Sequence, residues 1–372
     1  MLPKTEIKKL GFGLMRLPMI GDDVDIGQTK QMVDLFLEKG FTYFDTAWGY
    51  IDGKSEQAAK TALVDRHPRE SFQLATKLPA WAGPKTEKEA KDMFWTSLER
   101  TGVEYFDFYL FHNLGVGRTE AFDKFGIWDF LAERKREGRI RCLGFSMHAT
   151  ADYLETVLER HPELEFVQLQ LNYSDWENSI IQSRRCYEAA RKFGKPIIVM
   201  EPVKGGALAK LPEKAAEILA KADPDASQAS WAIRFAASLE GVVTVLSGMS
   251  TLDQMKDNLS YMEAFRPLDA EEMKAIGNVR EILAGVPQIP CTDCKYCLKD
   301  CPRHISIPGT LRIMNDYLIY HHLEAAKASY GWETRDLNKA SECIACGNCE
   351  TVCPQSIPII DELAKAAAVL EG

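Results

Sequence analysis

Two runs of four cysteines constrain this chain more than any other feature. Cys291, Cys294, Cys297 and Cys301 stand before Pro302, and Cys343, Cys346, Cys349 and Cys353 before Pro354. Each run reads C-x2-C-x2-C-x3-C-P, a spacing that lets a short loop wrap thiolates around the corners of a 4Fe–4S cubane. Thiolate tetrads also hold zinc. Four cysteines within eleven residues, twice over and each time closed by a proline, favour iron–sulfur clusters instead. The segment is therefore expected to be small and held together by metal. It begins near Pro287, after a helical pattern over Asp269–Leu283. Helical sequence, about Thr310–Ser329, separates the two runs, and a last helix lies near Asp361–Leu370.

Ten cysteines in a chain with no apolar leader after Met1 suggest metal or redox chemistry in a reducing compartment rather than structural disulfides. No run approaches the roughly 20 apolar residues of a membrane span, so the expectation is a cytoplasmic protein without a membrane partner. A net charge of −9 argues against a nucleic-acid partner. One basic stretch, Arg134–Arg141, reads as a solvated face, the alternative being a docking patch for an acidic electron carrier. Cys142 and Cys186 fall outside both motifs and read as buried small hydrophobes.

Upstream, β-rich runs alternate with amphipathic stretches. The strand-like runs are Leu10–Leu17, Tyr43–Ala47, Gln73–Leu78, Phe106–His112, Ile140–Met147, Phe166–Leu171, Ile197–Glu201 and Val242–Ser247. Gly40, Gly102, Gly138, Gly194 and Gly241 sit where helix C-caps belong. Eight such units over roughly 255 residues fit a (β/α)8 barrel, with a doubly wound sheet as the alternative. The expected division is residues 1–286 for the barrel with a trailing helix and 287–372 for the small, mainly helical cluster domain. Gly11-Phe12-Gly13 lacks the third glycine of a dinucleotide fingerprint and reads as a first strand packed closely in the barrel.

In a barrel, chemistry gathers at the C-terminal ends of the strands. Asp45 ends the second strand with Tyr50 five residues on, Lys77 ends the third, and His112 ends the fourth. A lone strand-end Asp or Lys is usually an ion pair, and a lone His usually a satisfied hydrogen bonder. Four proton-handling groups at consecutive strand ends are harder to read as structure alone. The loops after the last two strands, with Gly205, Gly206 and Gly248, suit a phosphate group.

Residues 8–264 resemble the aldo-keto reductase family, and the last segment resembles the bacterial two-cluster ferredoxins. Asp45, Tyr50, Lys77 and His112 match the reductase tetrad in order, spacing and strand. The resemblance implies carbonyl reduction, or alcohol oxidation, on a small molecule with NAD(P)H. Tyr50 would donate the proton, Lys77 would lower its pKa, Asp45 would hold Lys77, and His112 would orient the substrate oxygen. Gly138 to Ser146 resembles the family's fifth strand, Gln168 and Asn172 its sixth, and Gly248, Ser250, Gln254 and Asn258 its cofactor clamp. Ser146, Gln168, Gly205, Gly206, Gly248, Ser250, Gln254 and Asn258 are thus the expected cofactor contacts. Three positions depart from the family pattern. Met147 follows Ser146 where an Asn is usual, Met200 replaces the stacking aromatic, and Gly248 and Gln254 stand in place of a Lys and an Arg. The ferredoxin resemblance implies two clusters whose fourth ligands cross over. One would take Cys291, Cys294, Cys297 and Cys353, and the other Cys343, Cys346, Cys349 and Cys301.

A hydride carries two electrons and a cluster one, so two enzymatic readings arise. The first is an iron–sulfur oxidoreductase using NAD(P)H, with the clusters relaying electrons. The second is a reductase fed by a ferredoxin-like carrier, with flavin or single-electron delivery at the barrel mouth. A non-enzymatic redox sensor or electron-transfer subunit is the third, and the complete tetrad counts against it.

Overall fold

The computed structural model describes residues 7–291, 293, 295–299, 301–353 and 355–372. Eight parallel strands form a closed barrel: β1 (Leu10–Gly13), β2 (Tyr43–Asp45), β3 (Gln73–Leu78), β4 (Phe106–Leu114), β5 (Ile140–Met147), β6 (Val167–Gln170), β7 (Ile197–Met200) and β8 (Val242–Ser247). Neighbours follow chain order, and β1 pairs with both β8 and β2 to shut the ring. This is the expected (β/α)8 architecture.

Period-two alternation sorts the side chains. In β4, Phe108 and Leu110 enter the barrel interior with Tyr43, Ala75, Cys142, Phe166, Ile198 and Leu246. Tyr109 and Phe111, the alternate positions, join the layer between strands and helices. Fully burying a side chain of this size contributes about 1.5–3 kcal/mol, so a one-residue slip of β4 would reverse both layers at once. A Cβ on Gly11 would lie 2.8 Å from Leu246 Cδ2 and 3.1 Å from Tyr43 Cδ1. That bears out the reading of the Gly-Phe-Gly stretch as close strand packing.

The surrounding helices carry the stop signals expected of them. The helix Ile26–Glu38 starts at Asp25, whose carboxylate accepts from Gln28 N at 2.9 Å. It buries Met32, Val33 and Phe36, and Phe36 meets Phe12, Phe41 and Phe44 at ring separations of 5.2–5.8 Å. All five expected C-cap glycines adopt left-handed φ between 65° and 81°. The first strand is shorter than its apolar run predicts. It ends at Gly13, and Leu14–Arg16 turn into a 3-10 helix that still buries Leu14. Cys142 and Cys186 are buried as expected, and burial pushes their thiols up to about 11 and about 12.

The chain forms two compact units. One holds the residues up to Lys204 with Ala229–Asp269, and so contains the whole barrel; the other holds Gly205–Gln228 and Ala270–Gly372. Within the second, helix Ala270–Ala284 packs on helix Glu213–Ala222. Helices Ile307–Tyr320, Leu323–Glu333 and Ile359–Leu370 surround a small apolar core that includes Ile305, Ile307, Leu311, Tyr330, Ile357, Ile359 and Leu363. Polar ties supplement that core. Asn315 bonds both backbone groups of Ile289, at 2.7 and 2.9 Å, and the Tyr330 hydroxyl accepts from Ala340 N at 2.6 Å. Among the described residues no helix is long and apolar enough to cross a membrane.

Candidate active site and cluster cavities

The strand ends of the barrel bring four separated residues together. Lys77 is fully buried; its Nζ donates to Asp45 Oδ1 at 2.5 Å, to the Thr46 carbonyl at 2.7 Å and to the Tyr50 hydroxyl at 3.3 Å. Three donors thus find three acceptors, which is what a buried ammonium requires. The His112 ring meets Tyr50 edge-on, with centroids 5.9 Å apart. Tyr50 is placed by the short turn Tyr50–Gly53, in which Ile51 and Asp52 hold left-handed φ of 51° and 52°. Such non-glycine conformations cost on the order of 1–3 kcal/mol and collect at functional sites.

A further tier steadies these groups. Thr46 N and Trp48 N bond the Ala75 and Lys77 carbonyls at 2.9 and 3.2 Å, prolonging the pairing of β2 with β3. Buried Glu56 accepts from Thr76 Oγ1 at 2.7 Å, while Arg100 reaches the Trp48 carbonyl at 2.9 Å. Trp81 Nε1 donates to the His112 carbonyl at 2.8 Å. None of these supports is marked in the sequence, where they read as ordinary helix and loop residues.

Charge follows burial. Burial pulls on Lys77 from below, but Asp45 and Tyr50 outweigh it and hold the ammonium above its ordinary value. Asp45 is raised by burial, with Lys77 opposing. Burial also holds the Tyr50 phenol above the usual tyrosine value. Lys77 pulls it down, the sign expected from the sequence, while Asp45 and Glu201 push it up. The net direction is therefore opposite to the expected lowering, because desolvation exceeds the attraction of one cation. His112 lies well below the ordinary imidazole value, first through burial and then through Lys77, His148 and Arg118. It is neutral at physiological pH, and its Nδ1 has no hydrogen-bond partner among the described residues.

The expected cofactor contacts fall into three groups. Ser146 and Gln168 are paired across β5 and β6. The Ser146 hydroxyl accepts from Asn113 N at 2.9 Å, and Gln168 Nε2 approaches Met200 Sδ at 3.6 Å. Gly248, Ser250, Gln254 and Asn258 build the loop and helix after β8. There Ser250 N donates to Gln254 Oε1 at 2.7 Å, and Asn258 is tied to Ser247 at 2.7 Å and Tyr261 at 2.6 Å. Both amides thus already bond neighbours in this segment. Gly205 and Gly206, with φ of 64° and 103°, belong to the second unit. A polar network that sequence reasoning missed lies past β5, β6 and β7. Buried Asp175 accepts from Asn172, Gln170 and Lys204 at 2.8–3.0 Å, and Gln170 meets His148 at 3.0 Å. Its only sequence signal is several polar residues just past adjacent strand ends.

In the second unit the cysteines line two cavities. Cys301, Cys343, Cys346 and Cys349 share the first with Ile305, Ile307 and Leu363. Cys291, Cys297 and Cys353 share the second with Ile307, Leu311 and Ile357. Cys294 lies outside the described residues. The fourth cysteine of each run therefore lines the cavity of the other run. Thiol donors set in apolar walls suit an iron–sulfur cluster. Among the described residues no three such side chains converge on a single metal-ion position. A cubane does not require it, because each iron takes its own thiolate.

Two family models match this chain. Residues 9–281 match the aldo/keto reductase family and residues 290–358 a 4Fe-4S dicluster domain. An uncharacterized oxidoreductase of Bacillus subtilis is 23% identical over 73% of this chain and 92% of its own length. An aldo-keto reductase from Bacillus halodurans, solved in its holo form, is 25% identical with a TM-score of 0.60, covering 75% of this chain and 96% of its own. One from Klebsiella pneumoniae, in complex with NADPH, shares the fold at 19% identity and a TM-score of 0.56, covering 75% of this chain and 96% of its own.

Proposed function

Because the chain belongs to the aldo/keto reductase family and is an oxidoreductase with a 4Fe-4S dicluster domain, we propose that it interconverts a small carbonyl compound and its alcohol at the Asp45, Tyr50, Lys77 and His112 site. The observation that carries this reading is the Lys77 ammonium held between Asp45 and Tyr50. The Tyr50 hydroxyl delivers its proton to the carbonyl oxygen as the carbon is reduced. Lys77 favours the phenolate left behind, and Asp45 keeps Lys77 charged and in place. Neutral His112 orients the substrate oxygen. NAD(P)H, when bound, supplies the hydride; Ser146, Gln168, Gly248, Ser250, Gln254 and Asn258 are the barrel-unit residues proposed to hold it.

Two 4Fe–4S clusters are proposed on the eight motif cysteines, with Cys301 and Cys353 exchanged between them and the cluster domain beginning near Pro287. They pass single electrons, with a ferredoxin-like protein as the carrier and the cytoplasm as the setting. A second reading, flavin at the barrel mouth, is favoured by Met200 at the end of β7 and by the Gln254 amide oxygen already bonded to Ser250. Fluorescence of the supernatant after acid precipitation separates it from the first. Tyr50→Phe keeps the ring but removes the acid, so carbonyl turnover should fall on the order of 10²–10⁴-fold with iron content unchanged. Turnover at the wild-type rate would rule out Tyr50 as the proton donor.

A further inference from the structure

The loop after β4 carries a cation that the proposed chemistry does not use. Arg118 stands in the Gly115–Thr119 turn, on the barrel face where the tetrad lies. The turn is closed on itself: Arg118 N and Thr119 N both bond the Gly115 carbonyl at 3.0 Å, and Gly115 N bonds Thr119 Oγ1 at 3.0 Å. Tyr153 anchors the same Thr119 hydroxyl at 2.7 Å. Arg118 Nε donates at 2.9 Å to the carbonyl of Asn113, the residue after His112, which itself holds a left-handed φ of 56°. The guanidinium lies back over Gly115, where a Cβ would meet Nη2 at 2.6 Å. A glycine there is what leaves room for it.

Most buried or half-buried arginines pair with a carboxylate. Arg118 is half-buried, yet among the described residues no carboxylate lies within ion-pair distance of it. His148 is the next basic group around His112, and both it and Arg118 act on the His112 ring. The acidic residue acting on Tyr50 from beyond that pair is Glu201, just after β7. Positive charge from Arg118 thus faces His112 from the loop after β4. With Nε committed to Asn113, the two Nη groups offer one fork, which a planar carboxylate can accept bidentately.

We propose that Arg118 is a specificity residue that binds a carboxylate group on the carbonyl substrate, placing the substrate's reactive carbonyl toward His112 and Tyr50. The proposal rests on the tetrad being a carbonyl site, and binding without turnover keeps the two claims apart. Calorimetric titration of full-length, cluster-loaded protein, with no reductant present, compares 4-carboxybenzaldehyde with 4-methylbenzaldehyde. Wild type should bind the acid roughly 10–100-fold more tightly, as a charge-assisted pair gives, and added salt should shrink the difference. Arg118→Gln should erase the preference and leave the neutral aldehyde unchanged, and Arg118→Lys should keep part of it. Tyr50→Phe should lose turnover yet retain the preference. Equal binding of the two aldehydes by wild type, or equal loss of both in Arg118→Gln with intact cluster absorbance, overturns the proposal. So does a loss in Arg118→Gln confined to NADPH binding.

Discussion

Replacing Lys77 by methionine tests the electrostatics of the barrel site at their centre. The lysine Nζ lies 3.3 Å from the Tyr50 oxygen and 2.5 Å from Asp45. At 3.3 Å and an effective dielectric of 20, a full phenolate charge would be favoured by about 5 kcal/mol, an upper limit for what the variant loses in the reaction. The structural cost falls on Asp45, left buried with no cation. Breaking such a pair costs on the order of 3–5 kcal/mol, or roughly 6–20 °C in Tm at about 2–4 °C per kcal/mol for a domain of this size. The carboxyl pKa, already raised by burial, rises further, so the stability contribution is present at low pH and lost as pH climbs through that value. Lys77→Met should therefore melt nearest to wild type at the acid end and fall behind as pH rises. Lys77→Met/Asp45→Asn should regain more than half of the lost Tm without regaining turnover. Tryptophan fluorescence follows the barrel well, since six of the seven tryptophans lie in that unit. A single variant melting with wild type across the pH range, or a double variant melting no higher than the single, would refute this reasoning.

Cys353→Ala should cost the cluster in the cavity of Cys291 and Cys297, with iron falling from about eight to about four per chain if two cubanes are held. Loss confined to the cavity of Cys343, Cys346 and Cys349 would show that the fourth ligands do not cross. His112 is held well below its ordinary value, so stability is lost as pH falls below the ordinary histidine range of about 6.5. Against His112→Gln, the wild-type Tm should therefore decline faster below that pH, and parallel curves would contradict it. Gly11→Ala puts a methyl 2.8 Å from Leu246 and should cost about 1–3 kcal/mol as overpacking, measured as a lower Tm; an unchanged Tm would count against the close approach.

Local rules carried much of this fold. Strands β3, β5 and β8 lie where their apolar runs predict, and the five C-cap glycines mark helix ends because backbone sterics act residue by residue. The first strand escaped such reasoning: Leu14 stays apolar and buried although the backbone has already turned. The tetrad was legible because polar groups at strand ends stand out against the apolar strands. Arg118, Asp175 and Lys204 were not, since a charged loop residue reads as solvated until packing shows what surrounds it. Gln254 and Asn258 show the converse, their spacing matching a cofactor clamp while Gln254 Oε1 is bonded by Ser250 and the Asn258 amide by Ser247 and Tyr261.

The exchange of cysteines between the two cavities sets an order of events during synthesis. The cavity of Cys291 and Cys297 is closed by Cys353, and that of Cys343, Cys346 and Cys349 by Cys301. If the clusters are held as proposed, a nascent chain that has just released its first cysteine run can offer a cluster only three of its four ligands. The missing corner arrives after some fifty more residues, with the second run. On that arrangement iron loading comes among the last acts of folding, and losing one cluster frees a cysteine from the segment that also serves the other.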